Sequence, residues 1–326
     1  MNDKPILSVR NLTMHYYTRK GDVSAVDDVS FDLARGQSLG LVGESGCGKT
    51  SVAFSLLRLL PENAQLLAGN VYLDGCDVLA LDEKEVRKIR WRGISMVFQA
   101  AMNALDPVYR VGDQIIEALQ THFRGLGEAE ARDRVIELFP MVGLDPSLME
   151  RYPHEFSGGM RQRAVIAMAL SCDPRVIIAD EPTTALDVIV QDRILNELRA
   201  IQRKMGMSMI YITHDIAVIA EVSDRIGVMY AGRMAELASA VDIFENPFHP
   251  YTHALMNAFP SIEGEKQELK ALPGEPPDLL SPPSGCRFHP RCSRRIESCN
   301  RLQPPFEDMG DDHFVACWNP REVGNG

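Results

Sequence analysis

The sequence predicts an α/β fold, and three observations support this prediction. Short apolar runs, such as residues 39–42, 176–179 and 209–212, have the length and composition of buried strands. Stretches with apolar residues at helical spacing separate these runs. A glycine-rich turn joins the first run to the helical stretch that follows it. The combination is typical of a sheet whose strands end at a common ligand crevice.

The glycine-rich turn has the composition and the flanks of a phosphate-binding loop, or P-loop. The loop and the start of the helix comprise Gly43, Glu44, Ser45, Gly46, Cys47, Gly48, Lys49, Thr50 and Ser51. The glycines allow backbone N–H groups to surround phosphate oxygens, and the helix N-terminus adds partial positive charge. We expect Lys49 to contact the β- and γ-phosphates of a nucleotide, and the Thr50 hydroxyl to bind Mg²⁺. The alternative is a chance glycine-rich turn, and the flanking strand and helix argue against it.

Composition limits the class of protein. The 326 residues are 45% hydrophobic and 24% charged, which is ordinary for a globular chain with room for one large domain and an appendage. The formal net charge of −11 argues against a nonspecific nucleic-acid binder, so we expect no nucleic-acid partner. The sequence has neither an apolar run of membrane-spanning length nor a secretory leader. We therefore expect the protein in the cytoplasm, with any membrane role exerted through a partner.

The N-terminal part predicts two short strands, residues 6–9 and 29–33, separated by a polar loop. Tyr16 and Tyr17 lie in that loop, and an aromatic ring there could stack on an adenine or simply pack on the protein surface. Alternating apolar residues predict a hairpin at residues 69–75. A charged helical stretch follows at 83–92, and then a strand at 94–98.

Residues 106 to about 173 predict a helical insertion. Apolar residues recur there at helical spacing, namely Ile115, Ile116, Leu119, Val135, Ile136, Leu138 and Phe139. Near the end of the insertion, Ser157, Gly158 and Gly159 precede a helix at residues 164–171 and predict a second anion-binding helix N-terminus. Taken alone, such a tripeptide is also a common turn or helix cap.

Polar residues that follow the predicted strands complete a candidate site. Gln99 ends the strand at 94–98 and is a candidate to bind Mg²⁺ or to position a water molecule. Asp180 ends the strand at 176–180 and is a candidate Mg²⁺ ligand. Glu181 follows it and is a candidate for the base that deprotonates the attacking water. His214 follows the strand at 209–212 and is a candidate γ-phosphate contact. Residues 184–187 are predicted to cap a helix that runs to about residue 204.

In this order, these motifs resemble the nucleotide-binding subunit of an ABC transporter over residues 5–250. The resemblance implies a P-loop NTPase (RecA-like) core, an N-terminal antiparallel β subdomain and a helical signature subdomain at about 106–173. It also implies a head-to-tail dimer, in which ATP lies between the P-loop of one subunit and the signature of the other. Glu181 would be the general base, His214 the γ-phosphate sensor and Gln99 the link between Mg²⁺ and the membrane partner. Tyr16 matches the adenine-stacking position best, with Tyr17 as the fallback, and Asp187 would belong to the ATP site.

Residues 251–326 are similar to the C-terminal extension of oligopeptide/dipeptide importer ATPases. The similarity rests on residues 246–252, 272–277 and 285–292, while residues 159–163 and 229–233 resemble the "D"-type member of the usual ATPase pair. It implies a paralogous second ATPase, two transmembrane permease subunits and, indirectly, an extracytoplasmic solute-binding protein. The location would be the cytoplasmic face of the inner membrane. Related importers carry peptides, nickel chelates, opines or oligosaccharides, and the ATPase sequence does not choose among them.

The extension also predicts a small cysteine-rich module. Four of the seven cysteines lie there with the spacing C-x5-C-x6-C-x17-C, and they are Cys286, Cys292, Cys299 and Cys317. Four thiolates suit a 4Fe–4S cluster or a zinc ion equally well by ligand count, and unliganded thiols or loose disulfides are the alternative. The resemblance favours the iron–sulfur cluster. His289 and His313 are possible substitute ligands, although surface positions are the simpler interpretation.

Other functions fit the sequence less well. Translation-type ABC ATPases usually carry two ATPase halves on one chain, and repair-type members insert a long coiled coil. Neither feature is present in this sequence. An exporter subunit or a regulatory ATPase is a third possibility, against which only the resemblance of the C-terminal extension argues.

Overall fold

The computed structural model describes residues 4–99, 104–183, 187–258 and 272–322. The strands are β1 (Leu7–Thr18), β2 (Gly21–Leu33), β3 (Ser38–Val42), β4 (Ala64–Leu73), β5 (Cys76–Asp77), β6 (Ile94–Val97), β7 (Val176–Asp180), β8 (Ser208–Ile212), β9 (Arg225–Tyr230), β10 (Arg233–Ser239), β11 (Glu307–Asp308) and β12 (Phe314–Val315). The helices are α1 (Lys49–Leu57), α2 (Glu83–Ile89), α3 (Val111–His122), α4 (Glu128–Met141), α5 (Gly158–Leu170), α6 (Val188–Met205), α7 (Ile216–Val222), α8 (Ala240–Glu245) and α9 (Pro250–Met256). Short 3-10 helices cover Val78–Ala80, Pro146–Glu150, Pro153–Glu155, His289–Arg291 and Glu297–Asn300.

The described residues form two compact units. The first unit comprises the described residues within Met1–Leu7, Leu33–Gln37 and Leu73–Tyr211, and the second comprises those within Ser8–Asp32, Ser38–Tyr72 and Ile212–Gly326. Strands and helices alternate along most of the chain, so the predicted α/β class is confirmed.

In the first unit, the sheet has the strand order β8-β7-β6. Strands β6 and β7 are parallel, and their register runs from Ile94 opposite Val176 to Val97 opposite Ala179. Every residue of these two strands is buried, which explains why they appear in the sequence as continuous apolar runs. Their carboxyl ends lie side by side, and this places the residues after Val97 and Asp180 at one edge of the sheet.

The predicted helical insertion is present as α3, α4 and α5 in the first unit. Of the apolar residues that predicted it, six are buried, namely Ile115, Ile116, Leu119, Val135, Leu138 and Phe139. Ile136 is 41% exposed and does not belong to this core. It follows Val135 directly, and neighbouring residues on a helix point in different directions.

In the second unit, β3 pairs with β9 in parallel, and β10 pairs with β9 in the antiparallel direction. Strand β12 adds to the outer side of β10, with Glu236 opposite Val315, and β11 adds to β12. Residues from the C-terminal extension therefore extend this sheet by two short strands. The predicted boundary at residue 250 stays a prediction.

The N-terminal region differs from the prediction of two short strands around a polar loop. Strands β1 and β2 form one long hairpin, joined only by Arg19 and Lys20. Asn11 and Asp28 have left-handed backbone angles (φ 48° and 58°), and the Asn11 Nδ2 donates to Asp28 Oδ1 at 2.7 Å. The alternation of buried residues changes phase there, because Leu7 and Val9 are followed by Leu12 and Met14. This change of phase makes the strand look interrupted in the sequence.

Candidate functional site

The glycine-rich loop between β3 and α1 has the backbone that a P-loop needs. Gly43, Gly46 and Gly48 adopt positive φ angles of 148°, 77° and 106°. A Cβ atom on Gly43 would lie 2.1 Å from the Met229 carbonyl oxygen, and one on Gly48 would lie 2.1 Å from that of Ala25. Only glycine fits at these two positions, because both the backbone angles and the neighbouring chain exclude a side chain. Gly48 is also the N-cap of α1.

Lys49 lies over this loop at the first position of α1. Its side chain is largely buried, and Nζ donates to the carbonyl oxygens of Gly43 at 2.8 Å and Glu44 at 3.2 Å. The ammonium group is thus held among loop atoms, at the place where backbone N–H groups of the same loop would meet phosphate oxygens.

Cys47 occupies the interior of the loop. It is 4% exposed, and its Sγ lies 3.5 Å from Lys49 Nζ. Burial raises the pKa of this thiol, so it is mainly protonated at neutral pH. The backbone carbonyl of Cys47 accepts a hydrogen bond from Gly232 N at 2.8 Å. Cys47 therefore acts as a small packing residue of the loop.

Tyr16 and Ser51, which are both predicted to belong to the ATP site, lie next to each other in the second unit. The hydroxyl groups of Tyr16 and Ser51 are 3.1 Å apart, which places Tyr16 at the first turn of α1. Tyr17, the fallback for adenine stacking, is exposed on β1. Thr50 is half-buried on α1. The position of Tyr16 agrees with the preference for Tyr16 over Tyr17, while the adenine contact itself stays a prediction.

In the first unit, the parallel strands β6 and β7 bring Gln99 and Glu181 together. Gln99 Nε2 donates to Glu181 Oε2 at 2.8 Å. Glu181 has a left-handed backbone (φ 47°), which is uncommon for a residue other than glycine and concentrates at functional sites. Asp180, the last residue of β7, is buried. This edge of the sheet therefore combines two carboxylates with an amide, as the sequence predicts.

The two predicted helix caps are present. Ser157 is the N-cap of α5, and its Oγ accepts from Met160 N at 3.3 Å, with Gly158 and Gly159 in the first turn. Asp187 is the N-cap of α6, and its Oδ1 accepts from Val190 N at 3.0 Å. Residues 184–186, which were expected to share this cap, lie outside the described residues. Backbone N–H groups at a helix N-terminus such as this one are suited to binding an anion.

His214 lies in the second unit, just after β8, and its side chain is exposed. The next residue, Asp215, caps α7 by accepting from the backbone N–H groups of Ala217 and Val218. Helix α7 therefore begins two residues after His214.

The four cysteines of the extension act on one another electrostatically. Burial raises the pKa of Cys286 to about 11 and that of Cys317 to about 12, and the other thiolates add to both shifts. All four are free thiols. Within the described parts of the chain, no group of three or more His, Cys, Asp or Glu side chains is arranged to hold a metal ion. The four thiols have the donor chemistry of a metal site, and the metal itself stays a prediction.

The two histidines that could replace a cysteine as a ligand have other partners. His313 Nε2 lies 2.7 Å from Glu236 Oε1, where both side chains are buried. His289 Nδ1 lies 2.9 Å from the Cys286 carbonyl oxygen. Both histidines therefore contribute to the packing of the extension.

Sequence reasoning missed a group of residues that contact Glu44. Arg291 forms a two-pronged ion pair with the Glu44 carboxylate, and the Tyr251 hydroxyl accepts from Glu44 N at 3.0 Å. The three residues are far apart in the sequence, and no local motif connects them. Only the folded chain shows that the P-loop has these contacts.

Comparison with known proteins identifies the family of this chain. The family model described as ABC transporter matches residues 26–184, and the model described as oligopeptide/dipeptide transporter, C-terminal region, matches residues 235–299. The dipeptide transport ATP-binding protein DppD of Bacillus subtilis is 48% identical over 316 residues, covering 96% of this chain and 94% of the relative. The oligopeptide transport ATP-binding protein OppD of Salmonella typhimurium is 44% identical over 319 residues, covering 97% and 94%.

Solved structures are similar as well. The dimeric structure of MJ0796, a bacterial ABC transporter cassette, matches with a TM-score of 0.65 and 29% identity, over 72% of this chain and 98% of the cassette. A post-hydrolysis dimer of the same cassette, bound to ADP and Pi, matches equally well. In the part of this chain that the structure describes, no helix has the length and apolar character to cross a membrane. The chain belongs to the ATP-binding proteins of the ABC transporter family, in the group that carries the oligopeptide/dipeptide transporter C-terminal region.

Proposed function

We propose that this chain is the ATP-hydrolysing subunit of an ABC importer that takes up di- and oligopeptides. The observation that carries the proposal is the P-loop together with the Gln99–Glu181 pair, in a chain with near full-length similarity to dipeptide and oligopeptide transport ATP-binding proteins. The peptide class rests on the names of those relatives. The P-loop and the carboxylates support ATP hydrolysis independently of those names.

ATP binding is assigned to the P-loop and its neighbours. The backbone of residues 43–48 and the side chain of Lys49 would bind the phosphates, with Ser51 and Tyr16 beside them. The position of Lys49 over the loop carbonyls supports its role, because a small movement of a flexible side chain would bring Nζ to a phosphate oxygen. His214 is assigned to the γ-phosphate.

Mg²⁺ is assigned to Thr50, Asp180 and Gln99, which offer hydroxyl, carboxylate and amide oxygens. These are hard oxygen donors of the kind that Mg²⁺ prefers. Gln99 uses Nε2 to donate to Glu181, so its Oε1 is the atom that would bind the ion. Bound Mg²⁺ would neutralise negative charge on the phosphates.

Hydrolysis is assigned to Glu181 as the general base. Its carboxylate would accept a proton from the water that attacks the γ-phosphate, and the hydrogen bond from Gln99 would hold it in one orientation. Gln99 contacts the proposed base, and if it also bound Mg²⁺ it would link the state of the site to a membrane partner.

The subunit is proposed to work in a head-to-tail dimer with a paralogous ATPase. Ser157, Gly158 and Gly159, with Asp187, would complete the ATP site of the facing subunit. The dimeric cassettes of similar fold support this arrangement. ATP between two helix N-termini would close the dimer, and hydrolysis would release it. Two permease subunits would anchor the pair at the cytoplasmic face of the inner membrane, with an extracytoplasmic solute-binding protein delivering the peptide.

Cys286, Cys292, Cys299 and Cys317 are proposed to hold a 4Fe–4S cluster, with zinc as the alternative. The proposal is supported by their number and by their thiol chemistry, because four cysteine thiolates are the usual ligands of such a cluster. Such a group would cross-link a segment that has little regular secondary structure, and it would thereby stabilise the segment.

The ATPase assignment is tested by comparing the purified complex of this chain and the proposed second ATPase with the same complex that carries Glu181→Gln. We expect ATP hydrolysis to fall by about 100- to 10,000-fold, because the amide cannot accept the proton, while ATP binding is retained. The control is Glu197→Gln, which alters a carboxylate on α6 that pairs with Arg163 and Arg193. Hydrolysis by Glu181→Gln at the parental rate would show that the base is assigned wrongly.

A further inference from the structure

The P-loop has a contact with the C-terminal extension that the proposed mechanism does not use. Arg291 Nη1 donates to Glu44 Oε2 at 2.6 Å, and Nη2 donates to Glu44 Oε1 at 3.0 Å. This parallel arrangement is the strongest form of an arginine–carboxylate pair, because two charge-assisted hydrogen bonds fix both the distance and the orientation. Glu44 is the second residue of the P-loop, and Arg291 lies 247 residues later in the chain.

Arg291 is fixed in place by contacts other than Glu44. Its Nε donates to the Pro273 carbonyl oxygen at 2.8 Å, and Nη1 also lies 3.2 Å from the Tyr230 hydroxyl. The guanidinium carbon is 5.7 Å from the centre of the Tyr230 ring. The side chain of Arg291 is 6% exposed and that of Glu44 is 23% exposed, so solvent screens this pair less than an ordinary surface pair.

The backbone of Glu44 is held from the same side. Its N–H donates to the hydroxyl of Tyr251, which is fully buried. Tyr251 packs against Tyr230 and Phe288, with ring centres 4.6 Å and 5.3 Å apart. Phe288 lies only three residues before Arg291 in the extension. Thus both the main chain and the side chain of Glu44 depend on one packed cluster.

Two more contacts join the extension to the same region. Arg287 donates to the Ala231 carbonyl oxygen and pairs with Asp27. The connector residues Pro276–Leu279 and the P-loop residues Glu44–Cys47 line one cavity of about 270 Å³. Within the second unit, the segment that contains Arg291 is therefore attached around the P-loop at several points.

We propose that Arg291 is a positioning residue for ATP binding, which holds the P-loop through Glu44. The inference rests on the proposed function, because it concerns the same ATP site. Holding Glu44 would order the backbone N–H groups of residues 45–48 before ATP arrives, so less conformational entropy is lost on binding. Arg291 also compensates a carboxylate that would otherwise repel a triphosphate at short range.

The test is the affinity of the full-length protein for the non-hydrolysable analogue AMP-PNP, measured by isothermal titration calorimetry. We expect Arg291→Gln to raise Kd by about tenfold, which corresponds to the loss of a hydrogen bond between charged groups. Arg291→Lys should give an intermediate Kd, because lysine keeps the charge but cannot form the fork. In steady-state hydrolysis, KM for ATP should rise while kcat stays close to the parental value, because the contact acts on binding.

The matched control is Arg301→Gln. Arg301 lies in the same cysteine-rich segment, two residues after Cys299, but its pair with Glu297 is well exposed. Adding Glu44→Gln to Arg291→Gln should restore part of the affinity, because it removes the uncompensated carboxylate. A protein damaged only in its fold would not recover in this way. Hydrogen exchange of a peptide that covers residues 43–50 should be faster in Arg291→Gln than in Arg301→Gln.

The outcomes separate this inference from the proposed function. If the parent binds AMP-PNP and Arg291→Gln binds it within twofold of Arg301→Gln, the inference is wrong and the ATPase assignment stands. If Arg291→Gln does not fold, the Kd of Arg291→Lys for AMP-PNP is compared with that of the parent instead. Equal Kd values for these two proteins would overturn the inference. A parent that neither binds AMP-PNP nor hydrolyses ATP contradicts the proposed function instead.

Discussion

At the scale of single residues, His249 has an environment that keeps it neutral. Its side chain is buried, and Nδ1 accepts a hydrogen bond from Tyr251 N at 3.0 Å. Burial lowers its pKa to about 4, despite the opposing effect of Glu236. Because the pKa is lower in the folded state than in the unfolded chain, the unfolded chain binds the proton more readily. The stabilisation is complete above about pH 6.5 and is lost as the pH falls towards 4.

This environment predicts a pH-dependent stability. Between pH 7.5 and 5.0, the free energy of unfolding of the parent should fall by about 2 kcal/mol more than that of His249→Asn. Asparagine is the matched replacement, because its amide oxygen can still accept the N–H bond at the start of α9 without titrating. Urea unfolding followed by circular dichroism at both pH values measures the difference. Equal losses in the two proteins would mean that His249 does not titrate as described.

The roles of single residues could be predicted where a short stretch of sequence determines both the local backbone and the chemistry. The P-loop glycines are recognisable because only glycine fits at Gly43 and Gly48, and the predicted turn is present between β3 and α1. Gln99 and Glu181 were predicted separately from strand ends, and the parallel pairing of β6 and β7 brings them to 2.8 Å. The contact between Arg291 and Glu44 could not be predicted, because neither residue belongs to a local pattern that names its partner.

At the scale of elements, the sequence predicted those helices and strands whose signal is a regular pattern within a few consecutive residues. The buried strands β3, β7 and β8 are continuous apolar runs, and the caps at Ser157 and Asp187 are local side-chain to backbone hydrogen bonds. Both kinds of signal are contained in a few consecutive residues. The β1–β2 hairpin was missed for the opposite reason, since the left-handed residues Asn11 and Asp28 change the phase of the alternation.

The proposed 4Fe–4S cluster of the cysteine-rich segment predicts a definite iron and sulfide content. Protein purified without oxygen should contain about four iron and four labile sulfide atoms per chain. Cys292→Ser should lose them, because a hydroxyl is a poor ligand for iron in a cluster, whereas Cys76→Ser, which changes an exposed cysteine outside the segment, should keep them. Zinc near one per chain would contradict the cluster but keep a metal site, and the absence of both metals would contradict the metal proposal.

At the scale of the whole molecule, the proposed function couples ATP hydrolysis in this chain to the movement of a solute across the membrane. The proposed ATP site, the helix caps and the C-terminal extension belong to one polypeptide, while the proposed permease subunits would provide the route of the peptide across the membrane. The near full-length similarity to dipeptide and oligopeptide transport ATP-binding proteins is the basis for proposing a peptide as the solute.

Peptide-dependent ATP hydrolysis tests the central claim most directly. The complex of this chain with the proposed second ATPase and the two proposed permease subunits would be placed in lipid vesicles, with the proposed solute-binding protein outside and ATP inside. We expect a dipeptide or oligopeptide to stimulate ATP hydrolysis and to enter the vesicles, and Glu181→Gln to abolish both. Hydrolysis that no peptide stimulates, or that only a metal chelate, an opine or a sugar stimulates, would contradict the assignment to peptide import.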